Sequence, residues 1–378
     1  MPSAASHTAW LESLSPWPEE FGLERMHELL RALGNPERAY PAIHVVGTNG
    51  KTTTARLAEA ILEAVGLRVG TYTSPHVTAW SERVRVGGEE ADVENMLARV
   101  RPDAERIGAT QFEALTAAGL AEFAAAGVDV AVVEAGLGGR HDATNVLRAP
   151  VVVLTNVALE HTEVLGDTRE AIAAEKLAVI RPGATAVLGE AEWDEAARAA
   201  GAAIVVVTGR SNLALAHAAA ESFLGRTVDP HPAEDVELPG RLERVSESPL
   251  EIRDGAHNLA GVGHLLARVP RAEYVVVASI LADKDARGML AALSALGRRL
   301  VATTSSNPRA LGAADLGRLG EPYFDEVESF DDPVQALTRA REKAGPDGAV
   351  LVTGSLYLLA DLAASRVSNL PWQASASG

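Results

Sequence analysis

Near-continuous apolar runs of about four to six residues recur along the chain, at 43–46, 128–133, 151–154, 202–207, 274–278 and 349–352. Runs this short, without strict alternation, predict strands buried on both faces, as in a parallel sheet covered by helices. The segments between them carry helical spacing. Leu57, Ile61, Leu62 and Val65 share one helix face, and Phe112, Leu115, Leu120 and Phe123 share another. A further helix is expected over 168–180. Alternating strands and helices joined by right-handed crossovers predict an α/β fold. No internal repeat and no low-complexity tract interrupts the pattern.

The pattern breaks at 227–240, TVDPHPAEDVELPG, where three prolines and four acidic residues replace any periodicity. This stretch reads as a linker, closing a domain over 1–240 and preceding a second over 241–378. A chain of 378 residues is also longer than the ~250–300 at which single cores stop growing.

Composition narrows the partners. The 34 Lys and Arg against 51 Asp and Glu leave a net charge of −17, which argues against a non-specific nucleic-acid binder. With no cysteine, disulfides, thiolate metal sites and a cysteine nucleophile are all excluded. Residues 1–20 lack the basic and apolar regions of a signal peptide, and the apolar runs are far too short to span a membrane. A cytoplasmic protein without nucleic-acid or membrane partners is expected.

The sharpest local signal is I-H-V-V-G-T-N-G-K-T-T-T (43–54), followed by the helical pattern of 55–65. A strand runs into a glycine loop that opens a helix. Backbone N–H groups at such a helix start cradle polyphosphate, a lysine neutralises it, and a following hydroxyl reaches Mg²⁺. The common P-loop pattern places a glycine five residues before Gly50, where this chain has Val45. Two further strand ends carry candidate chemistry. The 128–133 run leads into Glu134, and the 151–154 run leads into T-N-V-A-L-E-H (155–161). Ligands of open parallel sheets sit beyond the carboxyl ends of strands, so Glu134 and His161 would flank the phosphate loop, with the Glu134 carboxylate suited to Mg²⁺. Lys176, on the 168–180 helix, reads from composition alone as a solvated lysine.

These residues resemble the folylpolyglutamate synthase/dihydrofolate synthase branch of the Mur ligases. The matching blocks run in order: F-G-L-E-R-M and L-G-N-P (21–36), G-T-N-G-K (47–51), T-S-P-H and S-E-R-V (73–84), T-Q-F-E-A-L-T (110–116), E-A-G-L-G-G-R-H-D-A-T-N-V (134–146) and T-N-V-A-L-E-H-T-E-V-L-G-D-T (155–168). They continue with E-K (175–176), L-P-G-R-L-E (238–243), D-G-A-H-N (254–258), L-A-D-K-D (281–285) and T-G-S-L-Y (353–357).

The resemblance implies a P-loop-type ATPase domain with a parallel sheet, then a smaller Rossmann-like α/β domain. It implies an ATP-dependent ligase that adds L-glutamate to dihydropteroate, to folates, or to both, through an acyl phosphate. Such chemistry needs positive charge on the transferring phosphoryl group and no protein nucleophile. By the same resemblance Asn49, Gly50, Lys51, Thr52 and Thr53 hold ATP, together with Asn212, Arg241, Asp254 and His257. Ser74, Glu134 and His161 are Mg²⁺ ligands, with Thr52 as a further candidate. Lys176 corresponds to a lysine carbamylated in the family, able to bridge a second Mg²⁺, with Arg83 nearby. Gly22, Leu23, Thr110, Phe112, His141, Asp142 and Ala143 fall in the pterin-substrate region. A monomer is the expected state.

The chain departs from the family pattern at several points. It has K-T-T-T (51–54) where K-G-S is usual, His141 for Leu, Glu160 for Asp and Leu259 for Pro, and no β-rich insertion between 208 and 211. Two other readings compete. A Mur-type ligase acting on a UDP-linked sugar peptide would carry a further N-terminal domain of about a hundred residues, whereas about forty residues precede the loop here. A non-catalytic nucleotide-binding homologue would have lost Glu134, His161, Lys176 or Asp254, and all four are present.

Overall fold

Five successive residues of the first strand, β1 (Ala42–Val46), are fully buried, because helices cover both faces of the sheet it centres. The structure, a computed structural model, describes residues 6–18 and 20–368. The expected domain limits at 1 and 378, and part of the stretch 1–20, lie outside the described residues. The chain divides into two units, one reaching to Val236 and the other starting at Glu237.

In the first unit, β2 (Val69–Tyr72), β3 (Val84–Val86), β4 (Glu89–Glu90), β5 (Val130–Glu134), β6 (Val151–Leu154), β7 (Thr185–Leu188) and β8 (Ile204–Val207) join β1 in the order β4-β3-β2-β5-β1-β6-β7-β8. β1 pairs in parallel with β5 and β6, in a register that sets Val45 opposite Glu134 and Val46 opposite Leu154. The sheet is parallel except at one edge, where β3 and β4 run antiparallel. On one face Ile43, Val45, Val132 and Val153 pack against helices Lys51–Ala64 and Asn212–Leu224. On the other, Val46, Val133 and Leu154 meet helices Gln111–Ala126 and Arg169–Leu177.

The second unit holds β9 (Glu243–Glu247), β10 (Leu250–Arg253), β11 (Tyr274–Ala278), β12 (Arg299–Thr303), β13 (Glu326–Phe330) and β14 (Ala349–Thr353), ordered β13-β12-β11-β14-β10-β9. Only β9 is antiparallel among them. Its core gathers around Val276, Ala278 and Leu351.

All six expected strands are present, with three corrections. The 202–207 run does not form a buried strand: β8 is the sheet edge, with Ile204 58% exposed. The expected 168–180 helix spans Arg169–Leu177, started by the Thr168 hydroxyl that accepts from the Ala171 N–H and ended before Pro182. The 227–240 stretch contains the division between the two units, but its first part is packed rather than free. Ala233 is buried against the core that includes Ala58 and Leu62, and His217 Nε2 is 2.8 Å from the Val228 carbonyl.

Candidate active site

Three neighbouring strands, β5, β1 and β6, end at one edge of the first sheet, and the chemistry-bearing side chains gather there. After β1 the chain turns through Gly47 (φ 144°) and Gly50 (φ 83°) into helix Lys51–Ala64. Both glycines are required. Each has a left-handed φ, and a Cβ would strike the Thr155 hydroxyl at Gly47 or the Asn212 amide at Gly50. The loop is cross-tied to the end of β6. Asn49 N–H donates to Asn156 Oδ1 (3.1 Å), and Thr155 Oγ1 and Asn156 Nδ2 both donate to the Asn49 carbonyl at 2.8 Å. Lys51 Nζ lies 3.2 Å from the Thr48 carbonyl. The loop, the helix start and Asn212 at the head of helix Asn212–Leu224 thus form one preassembled corner. Thr53 follows on the first helical turn.

Glu134 closes β5 and is 1% exposed. Thr52 Oγ1 donates to both of its oxygens (3.1 and 2.9 Å), and the Ser74 N–H donates to Oε2 at 3.0 Å. A buried carboxylate, a hydroxyl and a serine therefore converge beside the phosphate loop. The carboxylate and the Thr52 hydroxyl are hard oxygen donors of the kind that Mg²⁺ selects, whereas Ser74 reaches Glu134 through its backbone N–H. Among the described residues no cluster of three or more His, Asp or Glu could hold a metal alone. An ion here would draw on hydroxyl oxygens and substrate phosphates beside the carboxylate.

Lys176 is not solvated. It is 1% exposed, and Nζ donates to the Gly47 carbonyl (2.9 Å) and to Glu160 Oε1 (3.1 Å). Burial, with Lys51 nearby, pulls its pKa down to about 8, although Glu160 opposes the fall. Burial pushes the Glu160 carboxyl up, but Lys176, Lys51 and His161 outweigh it and hold it below the usual range. His161 has a left-handed backbone (φ 47°) and is half-buried at the start of helix Thr162–Leu165. Arg83 Nε donates to His76 Nδ1 (2.9 Å), and the guanidinium stacks 4.6 Å from the Trp80 ring centre.

The expected substrate residues form a second group. Thr110 caps helix Gln111–Ala126 in a reciprocal box with Glu113, and Arg25 Nε reaches the same Glu113 at 3.1 Å. This ties Thr110 to the turn holding Gly22 and Leu23. The Phe112 ring packs against Gly136 and stands edge-on to Tyr72. Asp142 and Ala143 are buried, whereas His141 is exposed. In the second unit, Asp254 accepts from the N–H groups of Leu242 and Ala256 (both 2.9 Å), and burial raises its pKa despite these bonds. Arg241 Nη1 reaches the Gly240 carbonyl at 3.1 Å, and His257 Nδ1 lies 2.8 Å from the Gly255 carbonyl.

Several contributors carried no sequence signal. Glu190 accepts from the Val157 N–H (2.9 Å) and Trp193 Nε1 (2.8 Å), while Arg169 Nε holds the Val157 carbonyl (3.0 Å). Arg210, in the short 208–211 connection, also bonds Glu190. The clamp fixes the loop that carries Glu160 and His161.

His44, in the middle of β1, is 1% exposed, and burial with nearby Arg181 lowers its pKa to about 3. The unfolded chain protonates this histidine below about 6.5, whereas the folded chain does not, so its contribution to stability is full above that pH and declines on acidification. Between pH 6.5 and 4.5 the loss amounts to about 2–3 kcal/mol. Urea unfolding at pH 7 and 4.5 should show His44→Gln losing less stability than the parent by about that amount. Equal losses in both proteins would contradict the assignment.

Comparison with known proteins matches this arrangement. The Mur ligase middle domain family covers residues 45–230, and the Mur ligase glutamate ligase domain covers 240–356. The chain is 32% identical to the dihydrofolate synthase/folylpolyglutamate synthase of Mycobacterium tuberculosis, over 88% of this chain and 85% of the relative. It superposes with a TM-score of 0.87 on E. coli FolC in complex with DHPP and ADP, at 32% identity over 97% of this chain and 98% of that one. A bifunctional folylpolyglutamate synthase/dihydrofolate synthase with Mn, AMPPNP and L-glutamate bound gives a TM-score of 0.86 at 32% identity, over 96% and 98% of the two chains. The phosphate loop, the buried carboxylate beside it and this full-length similarity agree: the chain belongs to the folylpolyglutamate synthase/dihydrofolate synthase family of Mur ligases.

Proposed function

We propose that this enzyme, an ATP-dependent ligase by family, joins L-glutamate to dihydropteroate, to folates, or to both. The observation that carries the reading is the convergence of Thr52, Ser74 and Glu134 beside the phosphate loop, with buried Lys176 behind it. The γ-phosphoryl group of ATP passes to a carboxylate oxygen of the acid, releasing ADP and leaving an acyl phosphate. The glutamate amine then forms the new N–C bond, and phosphate departs with that oxygen.

The residues divide the work. Backbone N–H groups over Gly50–Thr53 and the Lys51 ammonium hold the phosphates, with Asn49, tied to Asn156, and Asn212 bordering the loop. Glu134, Thr52, Ser74 and His161 would hold Mg²⁺, which when bound would supply positive charge to the phosphoryl group. Thr110, Phe112, Asp142 and Ala143, with the Gly22–Leu23 turn, orient the acid. Arg241, Asp254 and His257 keep the nucleotide role that their motif implies. Lys176 would be carbamylated, its neutral amine adding to carbon dioxide with loss of one proton, and the carbamate would offer oxygens to a second Mg²⁺. The lysine pKa of about 8 leaves a neutral fraction near physiological pH that can capture carbon dioxide. ATP and glutamate as substrates suit a cytoplasmic location, and the chain is proposed to act as a monomer.

The test is product formation with ATP, Mg²⁺ and L-glutamate, offering dihydropteroate and tetrahydrofolate side by side. Glutamylation of at least one is expected. ATP turnover with neither acid modified would overturn the reading.

A further inference from the structure

His44 is a polar side chain in an otherwise apolar strand, Ala-Ile-His-Val-Val, flanked by β5 and β6. Burying an imidazole there is unfavourable unless it is hydrogen-bonded. Its partner is Thr144, whose Oγ1 lies 2.8 Å from Nε2. The direction of this bond is fixed by the next one. Thr144 Oγ1 is 2.5 Å from Asp142 Oδ1, and both oxygens of that carboxyl already act as acceptors of backbone N–H groups. The single hydroxyl proton therefore points to Asp142, the oxygen must accept from His44, and His44 carries its proton on Nε2. Asp142 is further held by the Thr144 N–H on Oδ1 (3.0 Å) and the Leu137 N–H on Oδ2 (2.8 Å).

We propose that His44 and Thr144 are positioning residues for the acid substrate: a one-way relay, His44 to Thr144 to Asp142, sets the plane of the Asp142 carboxylate. This rests on the substrate role given above to Asp142. The relay starts three residues before Gly47, so the strand that carries the phosphate loop also aims the group that orients the acid. It also pins the 135–142 loop, since the Leu137 N–H is bound by the same carboxylate and the adjacent Gly136 packs on the Phe112 ring. Burial raises the Asp142 pKa, and the bonds from Thr144 and Leu137 oppose that rise. Losing the hydroxyl therefore weakens both the aim and the charge of the carboxylate.

Thr144→Val keeps the shape and removes the hydroxyl. With dihydropteroate, it should raise the KM for the acid roughly tenfold while the KM for ATP stays within about twofold, because one bond to a charged group is lost. Thr144→Ser and His44→Gln, which keep the hydroxyl and an Nε donor, should stay within about threefold of the parent. If Thr144→Val does not fold, Thr144→Ala is read in the same way. An unchanged KM for the acid, or a parallel rise in both KM values, would overturn the relay and leave the network as packing alone. Asp142→Asn separates the two levels. A raised KM for the acid there, with none in Thr144→Val, removes only the relay. An unchanged KM in Asp142→Asn removes the substrate role of Asp142.

Discussion

Glu134→Gln is expected to lower kcat by ~10²–10³ with little change in thermal stability. The carboxylate sits at the end of β5, 1% exposed, and accepts from the Thr52 hydroxyl and the Ser74 N–H. Glutamine has nearly the same shape, so the strand end and loop should keep their places. The negative charge is lost. An amide nitrogen in the Oε2 position would also face the Ser74 N–H donor to donor. The metal site would lose the only carboxylate assigned to it, and charge developing on the phosphoryl oxygens would be less well neutralised. Steady-state kinetics over a Mg²⁺ titration check this. Most of the turnover retained at saturating Mg²⁺ would make Glu134 structural.

Lys176→Ala should lower activity by at least ~10². In the folded chain the ammonium ties the Gly47 carbonyl to Glu160. Removing it frees the first residue of the phosphate loop and leaves Glu160 a largely buried carboxylate without its main partner, an unfavourable state. If Lys176 works as its carbamate, short carboxylic acids should partly restore the variant by filling the vacated position. Full activity in Lys176→Ala would contradict the role. A high-resolution map showing a bare ammonium with nucleotide and Mg²⁺ bound would contradict the carbamate.

The elements that could be read from the sequence are those whose pattern has one physical cause. β1, β6, β11 and β14 are buried on both faces and appear as near-continuous apolar runs, broken in β1 only by His44. Gly47 and Gly50 are needed where backbone turns left-handed against Thr155 and Asn212, so the loop was visible as a motif. Strands β2, β9 and β13 are among the eight that the apolar runs do not reveal, with β3, β4, β7, β10 and β12. β2 contains Gly70, whose missing side chain is filled by Phe123, while β9 and β13 carry charged residues on exposed edges. In the site, residues with a motif were found and their supports were not. Lys176 looked solvated because its partners, Gly47 and Glu160, are 129 and 16 residues away in sequence. Glu190, Arg169 and His44 likewise act through contacts that only the folded chain creates. The resemblance supplied roles for Ser74, Asn212 and Asp254 that spacing alone did not.

The most direct measurement is the fate of the acid's oxygen. Dihydropteroate labelled with ¹⁸O in its carboxylate is incubated with the enzyme, ATP, Mg²⁺ and L-glutamate, and the products are resolved by mass spectrometry. The account predicts one ADP, one glutamylated product and one phosphate carrying a single ¹⁸O per turnover, because the carboxylate oxygen leaves with the phosphoryl group. Unlabelled phosphate, or ADP released without amide formation, would contradict it.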